Sequence, residues 1–159
     1  MNTAFPLRIY YDASCPLCRT EMQTLKKYDV QQRLELVDCS PTDFSDADAS
    51  AAGYKRSDMM RLIHARDAQG QWLIGVAVFE AAYGATGIAG IEKMWVQPLL
   101  RPIWNRLYPW VADHRMFLSK LGLARLFGLM VDRAAARSAT RRSQACTDGQ
   151  CTPAGRAGE

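Results

Sequence analysis

The chain has 159 residues, five cysteines and a formal net charge of +4, and 48 % of its residues are hydrophobic. That length fits one domain with at most a small appendage, and the apolar content can bury a core without disulfides. No run of about 18 uncharged apolar residues exists, which excludes an integral membrane protein; the most apolar stretch, Leu121 to Val131, is short and carries Arg125. The N-terminal MNTAFPLRIYYD has no basic region followed by a long apolar segment and no small-residue cleavage site, so the expected location is cytoplasmic. In such a reducing compartment a spaced cysteine pair is catalytic or metal-binding more often than a structural disulfide.

Leu7 to Tyr11 (LRIYY) is a β-rich run flanked by Pro6 and Asp12 and reads as a first strand. In the segment that follows, Pro16 suits the first turn of a helix, where its missing N–H has no intrahelical partner. Cys18, Met22, Leu25 and Tyr28 then recur at spacings of four and three, one face of a helix of about four turns. Lys26 and Lys27 fall at its C-terminal end, where the helix dipole favours cations. Leu34 to Asp38 (LELVD) is a second strand, ending at Cys39. Strand, crossover helix and strand make a βαβ unit with parallel strands.

Residues 40–58 are rich in Ser, Asp and Ala and read as a surface loop with one short helix around Asp46 to Ala52. MMRLIHAR and QWLIGVAVF are two β-rich runs separated by Asp67-Ala68-Gln69-Gly70, which predicts a hairpin with a Gly-containing turn. EAAYGATG reads as a weak, glycine-punctuated helix. Beyond it lie Trp95, Trp104 and Trp110, in a stretch that Pro98, Pro102 and Pro109 should divide into short helices. Leu99, Ile103, Leu107 and Val111 form one apolar stripe; Phe117, Leu118, Leu121, Leu126 and Phe127 form another. Packing of these stripes against the sheet is the expectation, and an exposed surface for a membrane or partner protein is the alternative.

The expected architecture is α/β: a βαβ-α-ββ-α core with a mixed sheet and a C-terminal helical extension within residues 1–132. Residues 133–159 are dominated by Ala, Ser, Gly and Arg and read as a disordered tail. Arg133, Arg137, Arg141, Arg142 and Arg156, against Asp148 and Glu159, place most of the positive charge in that tail. The preceding part is nearly neutral, which argues against a nucleic-acid partner.

The chemistry is concentrated in Cys15-Pro16-Leu17-Cys18, which follows a strand and opens a helix. The thiolate is the reactive form of cysteine, and a helix N-terminus stabilises negative charge. Cys15 should occupy the N-cap, with Leu17 and Cys18 as the nearest backbone donors, and Cys18 should be the more buried of the two. Dithiol chemistry follows: Cys15 attacks a substrate disulfide, and Cys18 resolves the mixed disulfide. A zinc site would need two further ligands from Cys39, Cys146, Cys151, His64 and His114, and the sequence holds no second C-x-x-C. A structural role is the remaining alternative.

Tyr10-Tyr11-Asp12-Ala13-Ser14-Cys15-Pro16-Leu17-Cys18, with Glu21 following, resembles the N-terminal signature of the DCC-type thiol-disulfide oxidoreductases. That signature is an aromatic residue, Asp, usually Gly, any residue, then C-x-x-C; Ala13 stands where Gly is usual, and a small residue is kept. Looser similarity runs through Asp38-Cys39, the Asp67 to Gly70 hairpin with Gly75 and Ala77, and Tyr108 with His114-Arg115, so that it spans roughly residues 7 to 125. The resemblance implies a thioredoxin-like fold and a disulfide oxidoreductase assignment but does not supply a partner; the expected partners are a disulfide-containing protein or small thiol substrate and an external reductant, with no cofactor and no metal. Ser14, Pro16 and Leu17 are then the positioning residues of the motif. Thioredoxins proper place a cis-proline before the third strand; the corresponding stretch, Lys55 to Met59, has none.

Asp12, three residues before Cys15, has two readings: a proton acceptor for the resolving thiol, or a turn-forming Asp bonded to nearby backbone. Cys39 reads as a small core residue or a neighbour of the site, and His64 as a satisfied or exposed histidine. Cys146 and Cys151 flank an Asp-Gly turn signal; they are solvated tail thiols, a metal pair, or a relay to the Cys15 and Cys18 pair.

Overall fold

A computed structural model describes residues 3–88, 91, 94, 95, 97, 99–122, 126 and 128–137. Strand β1 (Leu7–Tyr11) leads into helix α1 (Pro16–Tyr28), and strand β2 (Leu34–Asp38) returns parallel to β1, with Ile9 opposite Leu36. Two short helices follow, α2 (Ala47–Ala51) and α3 (Arg56–Arg61). Strands β3 (His64–Arg66) and β4 (Trp72–Ile74) form the expected antiparallel hairpin, and β3 pairs antiparallel with β1. The sheet order is β2-β1-β3-β4, so β1 is central and parallel on one side only. This is a mixed α/β fold consistent with a thioredoxin-like architecture, with a helical C-terminal part.

Alternation along β1 divides the interior. Leu7 and Ile9 join Met22 and Leu25 of α1 in the larger cluster, while Tyr10 packs with Cys39, Ala49 and Met59 in the smaller cluster. The larger cluster also takes in helix α4 (Val76–Thr86), through Val76, Val78, Phe79, Ala82 and Tyr83.

Three expectations fail here, each for a physical reason. Met59–Arg61 belong to α3 rather than to a strand; the Asp58 carboxylate accepts the Lys55 N–H at 2.9 Å and closes the first turn of the helix. The run QWLIGVAVF splits at Gly75, whose φ of +63° lies in a region open to glycine, and its second half begins α4. That helix is apolar on nearly every side because it is buried on nearly every side, so it carries no helical periodicity to read. The prolines do not divide the next segment: helix α5 runs unbroken over Arg101–Lys120, with Pro102 in its first turn and Pro109 inside it. Pro102 loses no hydrogen bond there. The break at Pro109 is spanned by packing: Tyr108 meets Phe79 edge to face at 5.4 Å, and Ala112 is buried. Pro98 lies outside the described residues.

Most of the apolar stripe residues of α5 also point the other way, although Val111 lines the cleft and Leu118 is half-buried. The inner face is Trp104, Tyr108, Ala112 and Arg115, while Ile103, Leu107, Trp110, Phe117 and Leu121 are exposed. Helical backbone also covers residues 128–137, where Val131 and Ala135 are buried in the larger cluster and Asp132 accepts hydrogen bonds from Tyr28 and Lys27 of α1. The first residues of the segment read as tail are therefore helical; residues 138–159, with Cys146 and Cys151, lie outside the described residues. No described helix is long and apolar enough to cross a membrane.

Asp29 closes the connection between α1 and β2. Its carboxylate accepts the N–H groups of Arg33 at 2.8 Å and Leu34 at 2.9 Å and pairs with Lys26 at 3.1 Å. Burial by itself would raise this carboxyl, but those two N–H groups and the Lys26 ammonium outweigh it and hold it below its ordinary value. A depressed carboxyl stabilises the fold above its unfolded pKa of about 3.9, and the contribution fades as pH falls through the folded value. Asp29→Ala should cost about 1–3 kcal/mol in urea unfolding at neutral pH, because it strands two N–H groups. The gap from wild type should shrink below about pH 4, where the unfolded carboxyl takes up a proton before the native one does, and should close as pH falls through the native value.

Candidate active site

The β1–α1 turn builds the site. Asp12 Oδ1 accepts the Ser14 N–H at 2.9 Å and the Ser14 hydroxyl at 2.5 Å, and Asp38 Oδ1 accepts the Ala13 N–H at 3.2 Å. These bonds set Cys15 at the N-cap of α1 with Pro16 just inside, as the motif predicts. The Cys15 sulfur accepts the Cys18 N–H at 3.4 Å. The other expected donor, Leu17, turns its N–H to the Ser119 hydroxyl of α5 at 3.2 Å.

Helix α5 is the part of the site that the motif does not announce. Arg115 binds Asp12 Oδ2 at 2.8 Å, and both partners are largely shielded from solvent. Asp12 thus takes the turn-forming role and adds an ion pair, so both of its oxygens are engaged. Ser119 accepts the Leu17 N–H, and its hydroxyl also favours charge on the Cys15 sulfur. Under this cover Cys15 has 0 % exposed surface, whereas Cys18 keeps partial access to solvent, the reverse of the expected order. Position on α1 did decide depth along the helix; α5 decided which sulfur is sealed.

The electrostatics separate the two thiols. The Cys15 thiol is pulled well below the ordinary range, first by the hydrogen bond from Cys18, against the opposing effect of burial, then by the Cys18 N–H, the Arg115 guanidinium and Ser119. The Cys18 thiol is pushed far up, by its bond to the Cys15 sulfur, by burial and by the Cys15 charge. Both shifts favour the negative charge on Cys15 and the proton on Cys18.

Cys18 opens onto a cleft of about 70 Å3 between α1, α3 and α5, where Leu17, Glu21, Met59, Tyr108 and Arg115 also contribute. Glu21 sits one turn beyond Cys18 and accepts the Tyr83 hydroxyl at 3.3 Å. Burial pushes its carboxyl up to about 8; the Tyr83 bond pulls down and the Cys15 charge adds to the rise. Tyr108 fixes the far wall, its hydroxyl accepting the Ile63 N–H at 3.1 Å and its ring lying 3.4 Å from where a Cβ on Gly75 would be.

The remaining candidates lie elsewhere. Cys39 is sealed in the smaller cluster, 3.8 Å from the Met59 sulfur, and burial pushes its thiol up to about 12, the behaviour of a core cysteine. His64 is buried, with Nδ1 2.9 Å from the Leu62 carbonyl, and burial lowers its pKa. His114 is exposed, 2.8 Å from the Trp110 carbonyl. No group of three or more His, Cys, Asp or Glu among the described residues is placed to hold a metal ion. Sequence reasoning missed Ser119 and Tyr83 and gave no role to Arg115 or Glu21. A carboxylate three residues after Cys18, on the face that carries Met22 and Leu25, was the available signal for Glu21; nothing local marks Ser119.

A pH titration followed by thiolate ultraviolet absorbance should show a transition well below the ordinary thiol range. It should vanish in Cys15→Ser and rise by up to about one pKa unit in Arg115→Ala, a loss of roughly 1.4 kcal/mol of thiolate stabilisation. A low transition that persists in Cys15→Ser would assign the charge to another group.

Among solved structures no match is found. The chain is 30 % identical over 86 residues to an uncharacterized chloroplastic protein of Arabidopsis thaliana; the match covers 54 % of this chain and 39 % of the relative, so the chain spans less than half of that protein's length. Residues 9–121 match the DCC1-like thiol-disulfide oxidoreductase family, a span that holds the β1 strand end, both motif cysteines and the helix that covers them. By the extent of this match the chain belongs to the DCC1-like thiol-disulfide oxidoreductase family.

Proposed function

We propose that the protein is a dithiol-disulfide exchange enzyme with Cys15 as nucleophile and Cys18 as resolving thiol. The observation that carries this reading is the asymmetry of the pair: Cys15 at the helix N-cap, accepting from Cys18 with Arg115 and Ser119 beside it, against Cys18 holding its proton at the cleft. Cys15 forms a mixed disulfide with the substrate and releases one thiolate. Cys18 then attacks Cys15, the intramolecular bond forms, and the second substrate thiol leaves. The substrate gains two electrons, and an external thiol reductant restores the pair. Asp12 acts by holding Arg115 against the sulfurs, while Ser14, Pro16 and Leu17 shape the turn. Because Cys15 is sealed, the cover made by Ser119 and Arg115 opens when substrate arrives.

Cys15→Ser should abolish reduction of insulin or of a small disulfide while the fold persists. Cys18→Ser should accumulate a stable mixed disulfide on Cys15, read by mass spectrometry. A wild-type chain that reduces neither substrate and forms no reversible Cys15–Cys18 bond would end the reading.

The exposed stripe Ile103, Leu107, Trp110, Phe117 and Leu121 favours a second element, docking of a protein substrate on the outer face of α5. Ile103→Glu with Leu107→Glu should then raise KM for a protein disulfide about 10-fold or more, the effect of losing roughly 1.4 kcal/mol of apolar contact, and leave a small disulfide unaffected. Equal KM values for both substrates in the variant would leave α5 as a cover alone.

A further inference from the structure

We propose that Glu21 takes the proton from Cys18 when the mixed disulfide resolves and passes it to solvent through the cleft between α1, α3 and α5. The inference rests on the dithiol reading above and deepens it. A resolving thiol must lose its proton to become a nucleophile, and Cys18, whose thiol is pushed far up, needs an acceptor within reach. Asp12, the acidic neighbour the motif suggests, already receives Ser14 on one oxygen and Arg115 on the other. Cys39 and His64 belong to other surroundings, and exposed His114 is bonded to the Trp110 carbonyl.

Glu21 differs from all of these. It lies three residues after Cys18 on α1, so the two side chains project from one helix face into the same cleft. That cleft is large enough for water to bridge them. Met59, Ile63 and Phe79 supply much of the apolar part of the wall. The ionisable groups facing Glu21 are Cys15 and Cys18 from α1, Tyr83 from α4, Tyr108 and Arg115 from α5, and Asp12 and Tyr11 from the end of β1. Arg115 is committed to Asp12, and Tyr83 donates its hydrogen to Glu21.

The coupling of charges gives the step its timing. While Cys15 is a thiolate, its charge opposes ionisation of both Cys18 and Glu21. Attack on the substrate consumes that charge, because the Cys15 sulfur becomes part of a neutral mixed disulfide. With that opposing charge gone, Glu21 loses its own proton through the cleft more readily, although burial, the larger influence, still acts on it, and its carboxylate accepts the Cys18 proton. The Cys18 thiolate attacks the Cys15 sulfur, the Cys15–Cys18 bond forms, and the electron pair of the broken bond leaves on the substrate sulfur, which takes a proton from water. Glu21 then passes the Cys18 proton to solvent through the cleft. The substrate disulfide is reduced by two electrons and the cysteine pair is oxidised by two.

The test uses the reduced full-length chain with glutathione disulfide as probe, quenched in acid and read by peptide mass spectrometry. In Glu21→Gln the adduct on Cys15 should form within about twofold of the wild-type rate, while its conversion to the Cys15–Cys18 bond should slow roughly 100-fold at neutral pH. The wild-type conversion rate should show a pH-dependent limb that the Gln variant lacks and that Glu21→Asp restores in part. Conversion at the wild-type rate, equal slowing of both steps, or a limb that survives in Glu21→Gln would overturn the proposal. Carbon NMR of the wild-type carboxyl gives a readout that needs no variant: Glu21 should titrate near 8 in the dithiol form and lower in the disulfide form. Titration in the ordinary carboxylate range in the dithiol form would overturn it. Failure of the wild type to form any adduct or any Cys15–Cys18 bond would instead remove the dithiol reading on which the proposal stands.

Discussion

A negative charge on sulfur, held at the start of a helix and out of water, is the condition that the site is built around. An isolated thiolate buried in an apolar interior would be costly and would simply take up a proton. Here the charge is tolerated because donors converge on it: the Cys18 N–H and thiol from one side, Ser119 and the Arg115 guanidinium from the other. Each donor comes from a position that the fold fixes. The strand-to-helix turn, tied by Asp12 to Ser14 and by Asp38 to Ala13, sets Cys15 at the N-cap; the central strand β1 sets the turn.

Helix α5 serves two surfaces at once. Its inner face completes the charge environment of Cys15 and walls the cleft with Tyr108 and Arg115. Its outer face leaves a row of large apolar side chains in solvent, with Trp110 stacked on His114 at 4.7 Å. The helix that covers Cys15 thus also carries the outer apolar row, and the docking proposed for that row would bear on the cover over Cys15.

The sheet separates the two motif cysteines from Cys39. Because successive residues of β1 face opposite sides, Ile9 packs toward α1 while Tyr10 packs toward Cys39 and Met59. Cys39 ends the neighbouring strand only one rung from the site, yet its thiol is raised by burial while the Cys15 thiol is lowered by its donors. Proximity in sequence order to the motif thus says little about reactivity.

The βαβ unit, the parallel pairing of β1 with β2 and the hairpin about Asp67 to Gly70 were legible from local pattern, because strand alternation, the Pro at the helix start and the turn residues act over a few neighbours. The Cys-x-x-Cys pair and its place at a helix N-terminus were legible for the same reason. Where long-range packing decided the outcome, the local pattern misled. α4 is buried all round and so shows no period, α5 passes Pro109 because its flanks pack on Phe79, and most of the apolar stripe residues of α5 face solvent because a different face meets the core. The sequence by itself determined which two sulfurs meet and that a helix start would polarise them. Only the tertiary structure decided which sulfur is sealed, that Asp12 is spent on Arg115, and that Glu21 shares a cleft with Cys18, since these depend on contacts between residues up to a hundred positions apart brought together by the packing of α5 onto α1.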